Sequence, residues 1–340
     1  MKLKELAAEL GLSQTTVSRA LNGYPEVAES TRQRVAEAAR RHGYRANANA
    51  RRLATGQAGA IGVALPLQRS LHFGPHVSEF LSGISERLAQ EEIDIVVAPI
   101  EADDEMPVYR RLAASKRVDA VIISAPTPDD RRIGELTRLG LPFVLHGRTE
   151  LALPHAWLDI DNENAFRRAT EHLIDLGHRR IAMINGPLDQ TFAIHRERGF
   201  RGAMLARGLV ADSQLIGGGR FTDENGFRLA KEYLERSPRP TAFLAGSMMT
   251  ALGVFRAIRS AGLELGRDVS MIAHDDVFPY LNADNMVPSM STTRSSIRAA
   301  GFRIAELLLQ LLDGKPASSI AELWPVELVL RESTGPAPDR

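Results

Sequence analysis

The chain has no cysteine, and aromatic residues make up only 6% of its 340 residues. Without cysteine it can form no disulfide bond and no thiolate metal site, which fits a reducing compartment. No apolar run approaches the roughly 18 residues that a membrane span needs, and the start, MKLKELAAEL, has no signal-peptide pattern. We therefore expect a soluble, cytoplasmic protein with no membrane partner.

The chain as a whole also lacks net charge, but its charged residues are unevenly distributed. Lys and Arg number 42, as do Asp and Glu. The first 56 residues contain ten Lys and Arg against five Glu, so they carry +5 and the remainder carries −5. A basic segment of this kind supplies the sequence-independent part of DNA affinity. The length predicts two or three domains.

Residues 3–22 predict two short helices joined by a tight turn. Apolar residues recur at helical spacing in the first, Gly11 permits the reversal, and Ser13 can cap the second helix. The second helix has an apolar side for packing and an opposite polar side that suits base edges in a major groove. The candidate residues for major-groove contacts are Gln14, Thr15, Thr16, Ser18, Arg19 and Asn22. A third helix, Glu29 to His42, would close a small core.

A helical hairpin on the surface of any larger protein could show the same polar face, because exposed faces are generally polar. The basic charge of this segment favours the DNA-binding interpretation over that alternative.

After residue 58, short apolar runs alternate with amphipathic stretches of helix length. The runs are AIGVAL from Ala60, IDIVVA from Ile93, VDAVIIS from Val118, PFVLH from Pro142, RIAMI from Arg180, TAFLAG from Thr241 and VSMIA from Val269. Buried parallel strands with crossover helices produce this alternation. Two such series predict two α/β halves, with a ligand site in the cleft at the carboxyl ends of the strands.

Several motifs in one order resemble the lactose repressor family of bacterial transcription regulators over nearly the whole chain. The motifs are TTVSRALNG from Thr15, Thr31-Arg32, Val35, Gly43-Tyr44, ARRLA from Ala50, GHRRIAMINGP from Gly177, Arg196 with Gly199-Phe200, His274-Asp275-Asp276 and LRESTG from Leu330. The resemblance implies an all-α helix-turn-helix headpiece followed by a body of two parallel-sheet subdomains, like a periplasmic binding protein.

The implied domains are a headpiece at 1–44, a hinge at 45–57, a body at 58–332 and a tail at 333–340. Within the body, the resemblance implies an N-subdomain of about 59–159 and 292–319, and a C-subdomain of about 160–291 and 320–332. The last strand, Val326 to Leu330, belongs to the second subdomain in this scheme.

The resemblance also implies that the hinge forms a helix over the minor groove when two subunits lie side by side. Asn47, Ala50 and Leu53 are the implied DNA contacts, with the Leu53 side chain wedged between base pairs. The chain departs from the family at Ala46, where proline is usual. A hinge helix this short is marginal in isolation, so a flexible linker is the alternative for the free protein.

For the cleft, a carboxylate and a guanidinium can bind vicinal sugar hydroxyls, while an aromatic ring packs on the apolar face of the sugar. The family positions imply Arg196, Asp275 and Phe221 as effector contacts, with Phe73, Arg148 and Ser247 as additions. Asp275 and Asp276 could instead cap a turn, and Phe221 could be core. At Ser247-Met248 the family more often has Asn-Asp, which leaves the transfer of the usual sugar contacts open.

The stretches FVLHGRT from Phe143 and GSMMTALG from Gly246 resemble regulators of α-glucoside uptake within the family. They favour a repressor released by a sugar, and an α-linked disaccharide is the favoured type of sugar. The alternative is a co-repressed regulator that senses a purine or a phosphorylated metabolite. A solute-binding protein for uptake is not favoured, because a DNA-binding head would serve no purpose there.

Enzymatic and metal chemistry lack a sequence basis. No histidine pair has the i, i+4 spacing with a carboxylate that zinc sites show, and neither a P-loop lysine nor a G-x-S-x-G motif occurs. We expect no catalysis, no metal and no cofactor. A two-fold, pseudo-palindromic operator requires a homodimer, and only GPAPDR follows the LREST motif, with no heptad leucines for a tetramer.

Overall fold

The computed structural model of the chain describes residues 2–21, 24–44, 56–66, 74–100, 104–274 and 278–338. The headpiece contains helices α1 (Leu3–Leu10), α2 (Gln14–Leu21) and α3 (Glu29–Arg41). Helix α3 ends one residue before the expected His42, whose imidazole instead lies 2.8 Å from the Glu9 carboxylate of α1.

The turn between α1 and α2 follows from two residues. Gly11 ends α1 with a φ of 66°, a left-handed conformation that glycine adopts without a Cβ penalty. The Ser13 hydroxyl accepts a 3.0 Å hydrogen bond from the Thr16 backbone N–H and so caps α2, as the sequence predicts. The three helices enclose a core of Leu6, Ala7, Val17, Ala20, Val27, Val35, Ala38 and Ala39.

The body alternates strands and helices. Its first part contains β1 (Ala60–Pro66), α4 (Pro75–Ala89), β2 (Asp94–Ile100), α5 (Met106–Ser115), β3 (Ala120–Ser124), α6 (Arg131–Leu139), β4 (Phe143–His146) and β5 (Ala156–Ile160). The second contains α7 (Asn162–Asp175), β6 (Ile181–Ile184), α8 (Thr191–Ala206), β7 (Ile216–Gly217), α9 (Asp223–Leu234), β8 (Ala242–Ala245), α10 (Met248–Ser260), β9 (Ser270–His274) and β10 (Ser291–Arg294). The last contains α11 (Ile297–Leu312), β11 (Ala321–Trp324) and β12 (Glu327–Val329).

In the described part of the chain these strands form two six-stranded sheets. The first has the order β11-β5-β4-β3-β1-β2, and all its pairs are parallel. The second has the order β12-β10-β9-β8-β6-β7, and only β12 is antiparallel. The predicted fold class, a helical headpiece and a body of two parallel-sheet halves, is confirmed. No helix within the described ranges is long and apolar enough to cross a membrane.

The chain crosses between the halves at different residues from those expected. Strand β10 pairs with β9, so residues 292–294 belong to the second sheet and the crossing follows Arg294. Strand β11 pairs with β5, so residues 321–324 return to the first sheet before β12 joins the second. The expected boundaries near 292 and 319 are therefore wrong by a few residues. Strand β10 keeps residues 292–294 in the second sheet, and β11 keeps residues 321–324 in the first.

The expected tail is not separate from the body. Ser333 is fully buried, its hydroxyl donates to the Met271 carbonyl oxygen at 2.7 Å, and the Met271 N–H donates to the Ser333 carbonyl oxygen at 2.8 Å. Further on, the Ala337 N–H donates to the Leu176 carbonyl oxygen at 2.8 Å. Residues 333–337 thus cover the second half, and the boundary at 333 is corrected.

Glycines set the distance between paired helices. In the first half, a Cβ on Gly83 of α4 would overlap the Arg298 carbonyl oxygen of α11, and one on Gly301 would overlap the Phe80 carbonyl oxygen. In the second half, Gly199 of α8 meets the backbone of α7 at Glu163 in the same way. Because glycine has no side chain, the backbones of these paired helices can touch.

We expect Gly301→Ala to destabilise the protein by about 1–3 kcal/mol, because the new methyl group must push α4 away from α11. Gly134→Ala in α6 is the matched control, since no atom lies within 4 Å of its added Cβ. That control should be neutral or stabilising by up to about 1 kcal/mol. Thermal unfolding of both variants measures the difference, and equal melting temperatures would contradict it.

Candidate functional site

Helix α2 presents a polar surface on the headpiece. Gln14, Thr15 and Arg19 are exposed, and Ser18 is half-buried. The Arg19 guanidinium lies 3.4 Å from the Glu26 carboxylate, and both side chains remain about half exposed. The Thr16 hydroxyl is 2.8 Å from the Ser13 hydroxyl, so it helps to cap the helix. This face has the donors and acceptors that major-groove recognition requires.

Four of the residues expected to contact DNA, Asn22, Asn47, Ala50 and Leu53, lie outside the described residues. The role of the hinge therefore stays a prediction.

On the side of the cleft that the second half forms lies Arg196 of α8, which is only 4% exposed. Its Nε donates to the Asn162 side-chain oxygen at 2.7 Å, and one terminal nitrogen donates to the Gly246 carbonyl oxygen at 2.9 Å. The guanidinium carbon lies 5.1 Å from the Phe166 ring centroid and 4.8 Å from that of Phe192. Polar acceptors and aromatic faces together compensate the buried charge.

Asn162 and Gly246 reach Arg196 because both lie just beyond the carboxyl end of a strand, Asn162 after β5 and Gly246 after β8. Asn162 begins α7, and its amide nitrogen donates to the Ile160 carbonyl oxygen at 3.2 Å, which turns its oxygen towards Arg196. Gly246 follows β8. The carboxyl ends of the strands thus meet at the cleft, as expected for parallel sheets.

Arg148 and Asp159 form a charged pair here. The Arg148 Nε lies 3.2 Å from a carboxylate oxygen of Asp159, which is 4% exposed. Burial raises the pKa of Asp159 to about 6, while Arg148, the Ile160 N–H and Arg196 oppose that rise. Asp159 was not a candidate from the sequence, because it lies inside a strand whose apolar pattern is short.

Two aromatic rings line the second half of the cleft. The rings of Phe192 and Phe221 are 5.9 Å apart between centroids. A Cβ on Gly186 would lie 2.6 Å from Phe192 and 2.7 Å from Phe221, and a Cβ on Gly246 would lie 3.1 Å from Phe221. The two glycines therefore let the rings rest on the strand ends. Phe221 is partly exposed and so can present a face to a ligand.

Histidines face Arg196 from both halves. His76 of α4 and His274 of β9 each lie near Arg196 and near each other, and His146 lies near His76. The His274 ring nitrogen is 2.7 Å from the Thr293 hydroxyl, and the His146 ring stacks on Phe80 at 4.6 Å. Desolvation lowers the pKa of buried His274 and lowers that of His146 to about 4, so these two imidazoles stay neutral at physiological pH.

The remaining sequence candidates divide into two groups. Ser247 caps α10, because its hydroxyl accepts from the Thr250 N–H at 3.1 Å and donates to the Thr250 hydroxyl. Its side chain thus has a structural partner before any ligand binds. Phe73 and Asp275 lie outside the described residues, so their effector contacts stay predictions. Across the described ranges, no three His, Asp or Glu side chains group as a metal site would need.

Two contacts join the halves at the mouth of the cleft. The Thr191 N–H and hydroxyl of α8 both donate to the Pro126 carbonyl oxygen, at 2.8 and 2.9 Å. The Arg198 guanidinium lies 3.1 Å from the Glu150 carboxylate. Ala125, which precedes Pro126, has a φ of 53°, a left-handed conformation that costs a non-glycine residue free energy.

The free energy of unfolding should fall as the pH drops from 6.5 towards 4. The unfolded chain protonates its histidines near pH 6.5, whereas folded His146 resists until about pH 4, so acid favours unfolding. His146 alone should account for up to about 1.5 kcal/mol between pH 6.5 and 5. Asp159, with its raised pKa, acts in the opposite direction.

Urea unfolding of the parent and His146→Gln at several pH values measures this effect, and the variant should lose less stability in acid. Asp159→Asn serves as the comparison of opposite sign and should lose more. Identical pH profiles for the parent and His146→Gln would contradict the assignment.

Two family models match the chain. Residues 2–47 match the model described as bacterial regulatory proteins, lacI family, and residues 59–325 match the periplasmic binding proteins and sugar binding domain of the LacI family. The HTH-type transcriptional regulator AglR of Rhizobium meliloti (strain 1021) is 48% identical over 100% of this chain and 96% of its own length. The regulator RafR of Escherichia coli is 35% identical over 95% of this chain and 96% of its own length.

Solved structures agree with this result. The Lac repressor dimer bound to operator and the anti-inducer ONPF has a TM-score of 0.80, with 27% identity over 98% of this chain and 99% of that one. A complex of the transcriptional regulator CelR with cellobiose has a TM-score of 0.73, with 29% identity over the same shares. These matches are with transcription regulators and not with enzymes. With its helix-turn-helix headpiece and two-sheet body, the chain belongs to the LacI family of DNA-binding bacterial transcription regulators.

Proposed function

We propose that this protein is a cytoplasmic repressor of carbohydrate uptake or utilisation genes, released from its operator by a neutral sugar that binds in the cleft. An α-linked disaccharide is the effector class we favour. The observation that carries the proposal is the composition of the cleft, which joins two aromatic rings, neutral imidazoles and arginines that are already paired.

This composition suits hydroxyl groups better than phosphate. A phosphate is usually held by arginines that can turn to it or by a helix N-terminus. Here Arg196 donates to Asn162 and Gly246, and Arg148 pairs with Asp159. Neutral imidazoles can each donate and accept one hydrogen bond, which matches a sugar hydroxyl. The Phe192 and Phe221 rings offer an apolar surface for the face of a sugar ring.

The solved relatives support a disaccharide effector in general and leave the type of linkage to the test below. The CelR structure contains cellobiose, a disaccharide, and the Lac repressor structure is a dimer on operator DNA. A homodimer on a pseudo-palindromic operator is therefore part of the proposal, since two headpieces must meet two half-sites.

Isothermal titration calorimetry of the purified protein tests the effector class, with a panel of maltose, sucrose, trehalose, glucose, glucose 6-phosphate, guanine and hypoxanthine. The proposal predicts binding of one disaccharide and release of DNA by the same compound. Binding of a purine or of the sugar phosphate, with tighter DNA binding, would instead establish the co-repressed alternative.

Arg196→Lys should weaken effector binding about ten- to a hundredfold, because lysine keeps the charge but loses the planar donors that orient the site. Operator affinity without effector should be unchanged. Arg201→Lys on the same helix is the control, since Arg201 pairs with Glu197 on its own helix, away from the cleft. Calorimetry and operator-release curves give the two affinities, and an Arg196→Lys protein with the affinity of the parent would remove Arg196 from the site.

Thr15→Ala and Arg19→Ala should weaken operator binding and relax base preference, since each removes a donor from the exposed face of α2. A cost of about 1–3 kcal/mol for Arg19→Ala corresponds to a bidentate base contact. Glu37→Gln, exposed on α3, is the control. Selection of bound duplexes from a randomised pool measures preference, and unchanged selection by both alanine variants would exclude α2 as the reading helix.

A further inference from the structure

The start of the body is held by a single carboxylate. Asp119, just before β3, accepts hydrogen bonds from three successive backbone N–H groups, those of Ala58 at 2.6 Å, Gly59 at 2.7 Å and Ala60 at 3.3 Å. Gly59 has a φ of 64°, and such a left-handed residue turns neighbouring N–H groups towards one point. A concave group of N–H donors of this kind binds anions, and here the anion is the Asp119 side chain.

The same three residues are fixed on their other side. The Gly59 carbonyl oxygen accepts from the Asp94 N–H at 3.0 Å, and the Ala60 carbonyl oxygen accepts from the Asp119 N–H at 2.8 Å. Ala58 is buried at 6% exposure. Neighbouring strands β2 and β3 and the Asp119 carboxylate therefore fix the backbone of residues 58–60 at the amino-terminal edge of the first sheet.

This anchor lies where the body meets the DNA-binding part of the chain. It directly follows the expected hinge, residues 45–57, and the headpiece precedes that hinge. An isolated short helix is marginal, so residues that fix its exit point lower the free-energy cost of ordering it on DNA. The cleft, in contrast, is at the opposite, carboxyl edge of the sheet.

We propose that Asp119 is a positioning residue for operator binding, which fixes the direction in which the chain leaves the body towards the headpiece. The inference rests on the proposed hinge but not on the identity of the effector. Asp119 touches no DNA in this proposal and acts through residues 58–60. Loss of the carboxylate should free the Ala58 N–H and leave Gly59 and Ala60 held only by their backbone bonds, so that the hinge must be ordered from a less constrained starting point.

The test compares Asp119→Ala and Asp119→Asn with the parent on a duplex that the parent itself has selected from a randomised pool. Fluorescence anisotropy should show operator affinity reduced at least tenfold for Asp119→Ala. Asp119→Asn should lose less, because its amide oxygen can still accept from Gly59 and Ala60, although its amide nitrogen cannot accept from the Ala58 N–H. Affinity for any sugar found by calorimetry should stay within about twofold of the parent, since the cleft is unchanged.

Asp212→Ala is the matched control for a purely structural effect. The Asp212 carboxylate also accepts from a backbone N–H, that of Gln214 at 2.9 Å, and pairs with Arg180, but it lies in the second half. If Asp119→Ala loses operator affinity only in line with its melting temperature, as Asp212→Ala does, the proposal is overturned. If Asp119→Ala fails to fold, the Asp119→Asn variant alone tests the proposal. An operator affinity equal to that of the parent in Asp119→Asn would then overturn the proposal.

The two proposals can fail separately. A parent that binds its selected duplex but responds to no sugar contradicts the sugar effector and leaves the Asp119 comparison intact. A parent that responds to sugar, with unaltered operator affinity in both Asp119 variants, contradicts only the anchor.

Discussion

The cleft depends on one buried positive charge. A guanidinium cannot lose its proton at any physiological pH, so burying Arg196 requires acceptors that stay in place. Asn162 at the start of α7 and Gly246 in the turn after β8 provide these acceptors. The rings of Phe166 and Phe192 cover the guanidinium. Because these partners belong to α7, α8 and the turn after β8, the same charge that prepares a ligand site also fixes how those elements meet.

The cleft is also unusual in the charge state of its other groups. His76 and His274 lie near Arg196, where protonation of either imidazole would place like charges together. The arginine therefore lowers the pKa of both imidazoles. For the proposed sugar effector, imidazoles that are neutral can contribute hydrogen-bond direction without adding charge, which favours discrimination between stereoisomers of a polyol.

Much of the architecture could be predicted from the sequence, because apolar runs from Ala60 to Val269 mark buried parallel strands and Ser13 marks a helix start. Arg196 was also identified and lies in the cleft. Other features could not be predicted from the sequence, and the causes are physical. Strand β10 reads STTR and has no apolar run, and periodicity does not reveal which sheet a strand such as β11 will join. Asp119, Asp159 and the glycine contact at Gly301 depend on residues distant in sequence, so no local pattern indicates them.

The closing segments of the chain have a consequence for biosynthesis. Strand β11 completes the edge of the first sheet, β12 completes the edge of the second, and Ser333 with its neighbours covers β9. A ribosome makes these residues after all the other strands of the two sheets. Neither sheet can therefore be complete before they have been made, whereas the three-helix headpiece has all of its core residues within the first 44. The nascent protein has a DNA-reading unit long before it has a complete ligand site.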